Sequence, residues 1–377
     1  MKLKVAFFIL WMFATTPLLA QALNIGAMVQ PVPFDYKMES SDYQIWGASV
    51  VKGTDGKYHM YYSRWPQCLG HFAWVTDSEI AYAVSDSPEG PYTFVNVALP
   101  RRAITYWDGT TTHNPTILLK DNKYYLYYMG STSNHVAVQP TSMQNKDWWI
   151  YRNNQRIGVA VSDNPVGPWK RLDKPIIDVG SDPRAPDALM TSNPATTITP
   201  DGKVLLIYKG VGKSKTHEDI DMGKIQGQTD YKGEKVRFMV AFADNPLGPF
   251  KKEAQTIFEL KGAEDVKMIA EDPYIWFQDD MYYAAVRDVE GLYTGDVGAI
   301  ALIESKDGLC WKAAKHPLIL GSSFKWVNGE NSEGKLERPQ LLIENGVPTY
   351  LFGAYGIEDN GVKRGRCWNV QVPLKSK

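Results

Sequence analysis

The chain has 377 residues, 44% hydrophobic, 12% aromatic and 22% charged, with a formal net charge of −1. That composition excludes a disordered, collagen-like or disulfide-stapled chain, and the near-neutral balance argues against a nucleic-acid partner. The 21 Tyr and 12 Trp stand beside 31 Gly and 23 Pro, a mixture that suits strands joined by tight turns.

At the N-terminus Lys2 and Lys4 precede an apolar run from Val5 to Leu19, and Ala20-Gln21-Ala22 has the small residues of a cleavage site. Residues 1–22 therefore read as a secretory signal peptide, which places the remaining chain in the periplasm or outside the cell. Its removal takes the formal charge from −1 to −3. No other stretch is apolar enough to predict a membrane span. Cys68, Cys310 and Cys367 are odd in number and lack CxxC spacing, so no zinc knuckle is expected and at most one internal disulfide can form.

From Trp46 onward one phrase recurs five times: an apolar strand, a cluster of turn residues, and an aromatic strand. The copies read WGASVVKGTDGKYHMYYS, HNPTILLKDNKYYLYYMG, SNPATTITPDGKVLLIYKG, EDPYIWFQDDMYYAAVRD and ERPQLLIENGVPTYLFGAY. Each has the form of a hairpin. A second phrase with a Pro-Gly turn follows the first three copies, ending at Phe94, Arg171 and Lys252, and degenerates to IALIESKDGLCWKA after the fourth. Aligned on Ala48, Pro115, Pro194, Pro273 and Pro339, the copies are spaced by 67, 79, 79 and 66 residues. Four strands per unit at this spacing predict an all-β fold, a five-bladed β-propeller, as a single domain over residues 23–377. A β-sandwich or two smaller all-β domains would leave the shared register unexplained. Little chain follows Pro339, so the fifth blade is expected to borrow its outer strand from the segment between Asn24 and Tyr43.

In a propeller the first strand of each blade lines the central channel, and its N-terminal end shares a face with the end of the second strand. The strand starts are Trp46-Gly47, His113-Asn114, Ser192-Asn193, Glu271-Asp272 and Glu337-Arg338, and the second strands end at Arg64-Trp65, Gly130-Ser131, Lys209, Arg287-Asp288 and Tyr355. Residues serving only the fold would be alike at equivalent positions. These diverge just ahead of a shared Pro, which points to a site rather than to hydrogen-bonded plugging of the channel.

Asp272 and Glu337 on adjacent blades suit glycoside hydrolysis, which needs one carboxylic acid and one carboxylate. Glu271 is a third candidate, although strand alternation is expected to turn it away from Asp272. His113 is a candidate acid, base or metal ligand. Trp46 and Trp65, with Trp74, Trp148 and Trp149 from the long face loops, are candidates for stacking on sugar faces. Asn114, Asn193 and Asp288 are further candidates for binding substrate. Arg64, His71, Lys209, Arg287 and Arg338 would supply cations to a sulfate or carboxylate. His217-Glu218-Asp219 with Asp221 reads as a solvated acidic loop rather than a cation site.

The five aromatic hairpins, EDP at Glu271 to Pro273 and ERP at Glu337 to Pro339 resemble the five-bladed propeller glycoside hydrolases of families 43 and 117. WGASVVKGTDGKYHMYYSRWP, THNPT and RNNQRIGVAVSD bring the chain nearer to family 117. The resemblance covers nearly all of the mature chain. It implies a secreted or periplasmic enzyme that removes terminal sugars from plant or algal oligosaccharides with inversion, using Asp272 and Glu337. The sequence departs from the pattern at Trp46-Gly47, where an Asp is expected and Asp42 is the nearest carboxylate, and it lacks a His in the loop before Glu337.

The expectation is thus an exo-acting glycoside hydrolase for a neutral or anionic oligosaccharide, with Glu337 as proton donor and Asp272 as base or orienting group. No cofactor or catalytic metal is required, while the central channel leaves room for a structural divalent cation. Two other readings are a phosphate-dependent phosphorylase like those of family 130, with Arg64, Lys209 and Arg338 holding phosphate, and a non-catalytic glycan-binding propeller. The sequence leaves the oligomeric state open.

Overall fold

The computed structural model describes residues 22–133, 143, 146–214, 233–359 and 362–375. Nearly all of the expected signal peptide lies outside the described residues, as does the acidic segment from His217 to Asp221. Among the described residues no helix is long and apolar enough to cross a membrane.

After a short strand β1 (Lys37–Met38), blade I is formed by β2 (Tyr43–Lys52), β3 (Tyr58–Pro66), β4 (Glu79–Ser85) and β5 (Thr93–Leu99). Blade II comprises β6 (Thr111–Lys120), β7 (Lys123–Ser131), β8 (Arg156–Ser162) and β9 (Lys170–Arg171). Blade III comprises β10 (Met190–Ile198), β11 (Val204–Val211), β12 (Val236–Ala243) and β13 (Lys251–Ile257). Blade IV comprises β14 (Ala270–Gln278), β15 (Met281–Asp288), β16 (Ile300–Ser305) and β17 (Lys312–Leu320). Blade V runs β18 (Leu336–Glu344), β19 (Val347–Asp359) and β20 (Val362–Pro373), and its outer strand is β1, antiparallel to β20 with Lys37 opposite Val370. The molecule is a five-bladed β-propeller closed by its own N-terminal segment. The first strands β2, β6, β10, β14 and β18 lie against one another around the channel.

The core sits between blades because each sheet is buried on both faces, so its central strands are apolar almost throughout. Along β11, Leu205 and Ile207 pack toward blade IV while Leu206 and Tyr208 pack toward blade II. Similar clusters fill the other interfaces, such as Tyr62 and Met60 of blade I against Phe352 and Leu342 of blade V.

All five first strands break register at the same point, between Trp46 and Ser49, His113 and Thr116, Ser192 and Ala195, Glu271 and Tyr274, and Glu337 and Gln340. At each bulge one residue takes a left-handed backbone: Gly47 (φ 61°), Asn114 (50°), Asn193 (50°), Asp272 (53°) and Arg338 (53°). Gly, Asn and Asp enter this region at modest cost, whereas Arg does so only when its surroundings hold it there. Such bulges re-aim side chains. The alternation argument for Glu271 therefore fails, and Glu271 and Asp272 line the same cavity.

Two short helices stand on the channel face. α1 (Trp74–Asp77) lies between β3 and β4, and α2 (Lys146–Asn153) between β7 and β8. Trp148 Nε1 donates to the Phe72 carbonyl at 3.1 Å, and the Trp148 ring meets Trp74 edge-on at 5.6 Å. Both helices are thus tied into one aromatic wall.

Candidate active site

Where the first strands begin, a cavity of about 330 Å³ opens between the blades. Its floor carries three carboxylates, Glu271 and Asp272 from β14 and Glu337 from β18, and its walls are Trp46, Trp65, Phe72, Trp74, Trp148 and Trp149. Each carboxylate has a different set of partners.

Glu271 lies between two cations, with Lys209 Nζ at 3.1 Å and Arg287 Nη1 at 2.8 Å. Burial alone would push its carboxyl up, but Lys209 and Arg287 outweigh it and hold the group down at about 2. Glu271 is a fixed anion. Asp272 accepts from Asn193 Nδ2 and has Arg338 Nη1 at 3.5 Å. Burial, reinforced by the negative charge of Glu271, raises its pKa against the opposing pull of Arg338, Lys209 and Asn193. Glu337 is bound by Arg364 Nη2, with Arg287 Nη2 at 3.5 Å. Burial again dominates and raises it, with Glu271 and Asp272 adding to the effect and the two guanidiniums opposing it. One carboxylate is therefore locked ionised beside two whose protons are held more tightly than usual.

His113 is buried, with its ring stacked on Trp74 at 4.8 Å and its Nδ1 2.7 Å from Ser78 Oγ. Ser78 Oγ also reaches the Thr112 carbonyl. Both contacts are met when the hydroxyl donates to that carbonyl and accepts from His113 Nδ1. Burial, with Arg338, His71 and Lys209 adding to it, drives the imidazole pKa well down, so His113 is a neutral polar group in the wall rather than a proton reservoir. His71 is also neutral, pushed down to about 3 by burial and by Arg364. Its Nε2 lies 3.3 Å from Arg364 Nη1, and its Nδ1 lies 3.6 Å from Cys367 Sγ.

Of the residues expected from sequence, the structure brings Trp46, Trp65, His71, His113, Asn114, Asn193, Lys209, Glu271, Asp272, Arg287 and Glu337 to this cavity. Three lie elsewhere. Arg64 points away, bonded to Glu79 at 2.9 Å and sandwiched between the rings of Tyr43 and Phe94. Asp288 is fully buried and accepts from the backbone amides of Leu292, Tyr293 and Thr294, so it shapes a turn. Arg338 lies behind the cavity, where its side chain runs beside Gly47, reaches the Pro115 carbonyl with Nη2 and faces Asp272. The Arg64, Lys209 and Arg338 set expected to hold phosphate is therefore not assembled. Asp42 is exposed on the blade I rim and lines a different pocket. Among the described residues no group of three or more His, Cys, Asp or Glu side chains is placed to hold a metal ion.

No protein-family model and no curated protein matches the sequence. Solved structures do. Zg3597, a family 117 glycoside hydrolase produced by the marine bacterium Zobellia galactanivorans, superposes with a TM-score of 0.59 at 19% identity, over 92% of this chain and 89% of its own. A thermostable family-43 glycoside hydrolase gives a TM-score of 0.59 at 14% identity over 93% and 96% of the two chains. CoXyl43, a family-43 β-xylosidase/α-arabinofuranosidase from a compost microbial metagenome, gives 0.54 at 19% over 90% and 98%. The fold is that of the family 43 and family 117 glycoside hydrolases.

Sequence reasoning missed three cations in this propeller site, Arg364 on β20, Arg152 on α2 and Lys267 ahead of β14. Arg364 lies in RGRCWNV, where a left-handed backbone (φ 56°) turns its side chain back toward Glu337. The register break between Ile357 and Asp359 in the pairing of β19 with β20 has no counterpart in the other copies, so the repeat could not reveal it. Arg152 depends on a helix inserted outside the repeat.

Proposed function

We propose that this chain is an exo-acting, inverting glycoside hydrolase that removes a terminal sugar from plant or algal oligosaccharides outside the cytoplasm. The observation that carries the reading is the trio of carboxylates beneath an aromatic enclosure, with one member fixed as an anion and two with raised pKa values. Glu337 donates its proton to the glycosidic oxygen as the bond from that oxygen to the anomeric carbon breaks. Asp272 takes a proton from the water whose oxygen bonds to that carbon from the opposite face. The products are a free sugar and an oligosaccharide one unit shorter. Glu271 stays ionised and raises the proton affinity of both partners, while Arg364 and Asn193 orient Glu337 and Asp272.

The cavity volume lies at the small end of the range for ligand pockets, roughly 300–1,000 Å³. It therefore suits one terminal unit rather than a run of subsites. The aromatic walls supply faces for a sugar ring, and the neutral imidazoles of His71 and His113 supply polar contacts. The signal peptide expected from residues 1–22 supports export.

The test is a panel of plant and algal oligosaccharides incubated with the enzyme, with and without phosphate, and read by product mass. Stepwise release of a single free sugar, independent of phosphate, is expected. Mid-chain products would contradict exo action, and a sugar phosphate would contradict hydrolysis.

A further inference from the structure

Among the described residues the cavity is lined by five cations, Arg152, Lys209, Lys267, Arg287 and Arg364, against three carboxylates, Glu271, Asp272 and Glu337. A neutral sugar would not call for this excess in a chain whose formal net charge is −1. The pairing pattern locates it. Lys209 and Arg287 are engaged by Glu271, and Arg364 by Glu337. Lys267 is exposed at the rim.

Arg152 is the remaining cation. Its Nη1 donates to Asn153 Oδ1 at 3.0 Å, and its guanidinium lies 5.5 Å from the centre of the Trp149 ring. It makes no ion pair within 4.0 Å with any described carboxylate. Burial pulls its pKa down to about 10, with Glu271 only partly opposing that. A guanidinium partly withdrawn from water without a counter-ion is disfavoured, and an anion arriving with the ligand would offset that loss. The planar fork of Arg matches a carboxylate or sulfate through two parallel hydrogen bonds.

The wall holds Arg152 in place. In α2, Trp148 bonds the Phe72 carbonyl and Trp149 Nε1 bonds the Met143 carbonyl at 2.8 Å. Val75, Trp148, Trp149 and Tyr151 form one buried cluster. The last turn of the helix therefore brings Arg152 to the cavity wall.

Resting on the hydrolase reading above, we infer that Arg152 is the receptor for an anionic substituent, a carboxylate or sulfate, on the terminal sugar of the substrate. The cations proposed for this role from sequence are engaged elsewhere, while Arg152 is the cation the described site leaves for a ligand.

Calorimetric titration of the intact protein tests this with oligosaccharides ending in a uronic acid or a sulfated sugar, each beside its carboxyl-reduced or desulfated counterpart. The wild type is expected to bind one anionic member at least tenfold more tightly than its neutral counterpart, and which pair shows the preference separates carboxylate from sulfate. Arg152→Met should collapse that ratio toward one, and Arg152→Lys should retain part of it. Equal binding of charged and neutral partners by the wild type would overturn the inference without any variant, as would a ratio unchanged in Arg152→Met. Because binding is read directly, a clear preference without product release would count against hydrolysis and not against the anion receptor.

Discussion

Glu271 sets the electrostatics of the site although it is not assigned a proton transfer. Its charge is fixed by Lys209 and Arg287, and that charge raises both Asp272 and Glu337. Because its pKa is depressed, its contribution to stability is complete above the unfolded value near 4.5 and is lost as pH falls through about 2. For activity the sign runs through its neighbours. Glu271→Gln removes the charge that raises both pKa values and frees two cations that lower them. The acid limb, set by Asp272 losing its proton, and the alkaline limb, set by Glu337 keeping its own, should both move to lower pH. A pH profile of kcat/KM checks this, and an unmoved profile would show that Glu271 does not tune the pair. At this scale the sequence made Asp272, Glu337 and Glu271 legible, because each precedes or flanks the Pro of a recurring phrase. Arg64 and Asp288 fall outside the cavity because a second strand also alternates at its end, sending one of two neighbouring residues outward or into a turn.

The bulge in each first strand is the element that turns a structural repeat into a site. It places one residue per blade in a left-handed conformation at the channel, and four residue types, Gly, Asn, Asp and Arg, fill the five positions. Blade I uses Gly47 there, and a Cβ at that position would lie 3.2 Å from Arg338 Nε. The absence of a carboxylate in blade I and the presence of a long cation in blade V are thus one arrangement, in which Arg338 takes the space beside Gly47 and faces Asp272. Gly47→Ala should cost about 1 kcal/mol or more through the backbone alone, measured as a shift in the urea midpoint. Because the added methyl displaces Arg338, it should also reduce turnover beyond what the loss of stability explains. An alanine variant as stable and active as the wild type would contradict this coupling. The spacing of the phrases revealed these strands, but not their shared left-handed residue, since Arg338 lacks the left-handed preference that Gly, Asn and Asp share. Helix α2 escaped notice for a different reason: eight residues rich in Trp carry too few turns for a helical period to stand out.

At the level of the whole molecule, the propeller was legible because repetition is a global signal that outlasts local ambiguity. Five hairpins in one register leave few alternatives, and the short fifth copy required a strand from elsewhere. That strand is β1, with Ile25, Val32 and Met38 burying the segment that closes the ring. What repetition could not show is how the insertions roof the channel, because aromatic packing among Phe72, Trp74, Trp148 and Trp149 joins segments far apart in the chain. The ring supplies rigidity and the insertions supply enclosure, while the proposed chemistry belongs to two side chains on adjacent blades. Cleavage of the best oligosaccharide substrate by Asp272→Asn and Glu337→Gln, with melting curves confirming that the ring remains closed, tests this division most directly. Each variant should fold as the wild type does and lose about 10²–10⁴-fold in kcat/KM. Full cleavage by both variants would contradict the account.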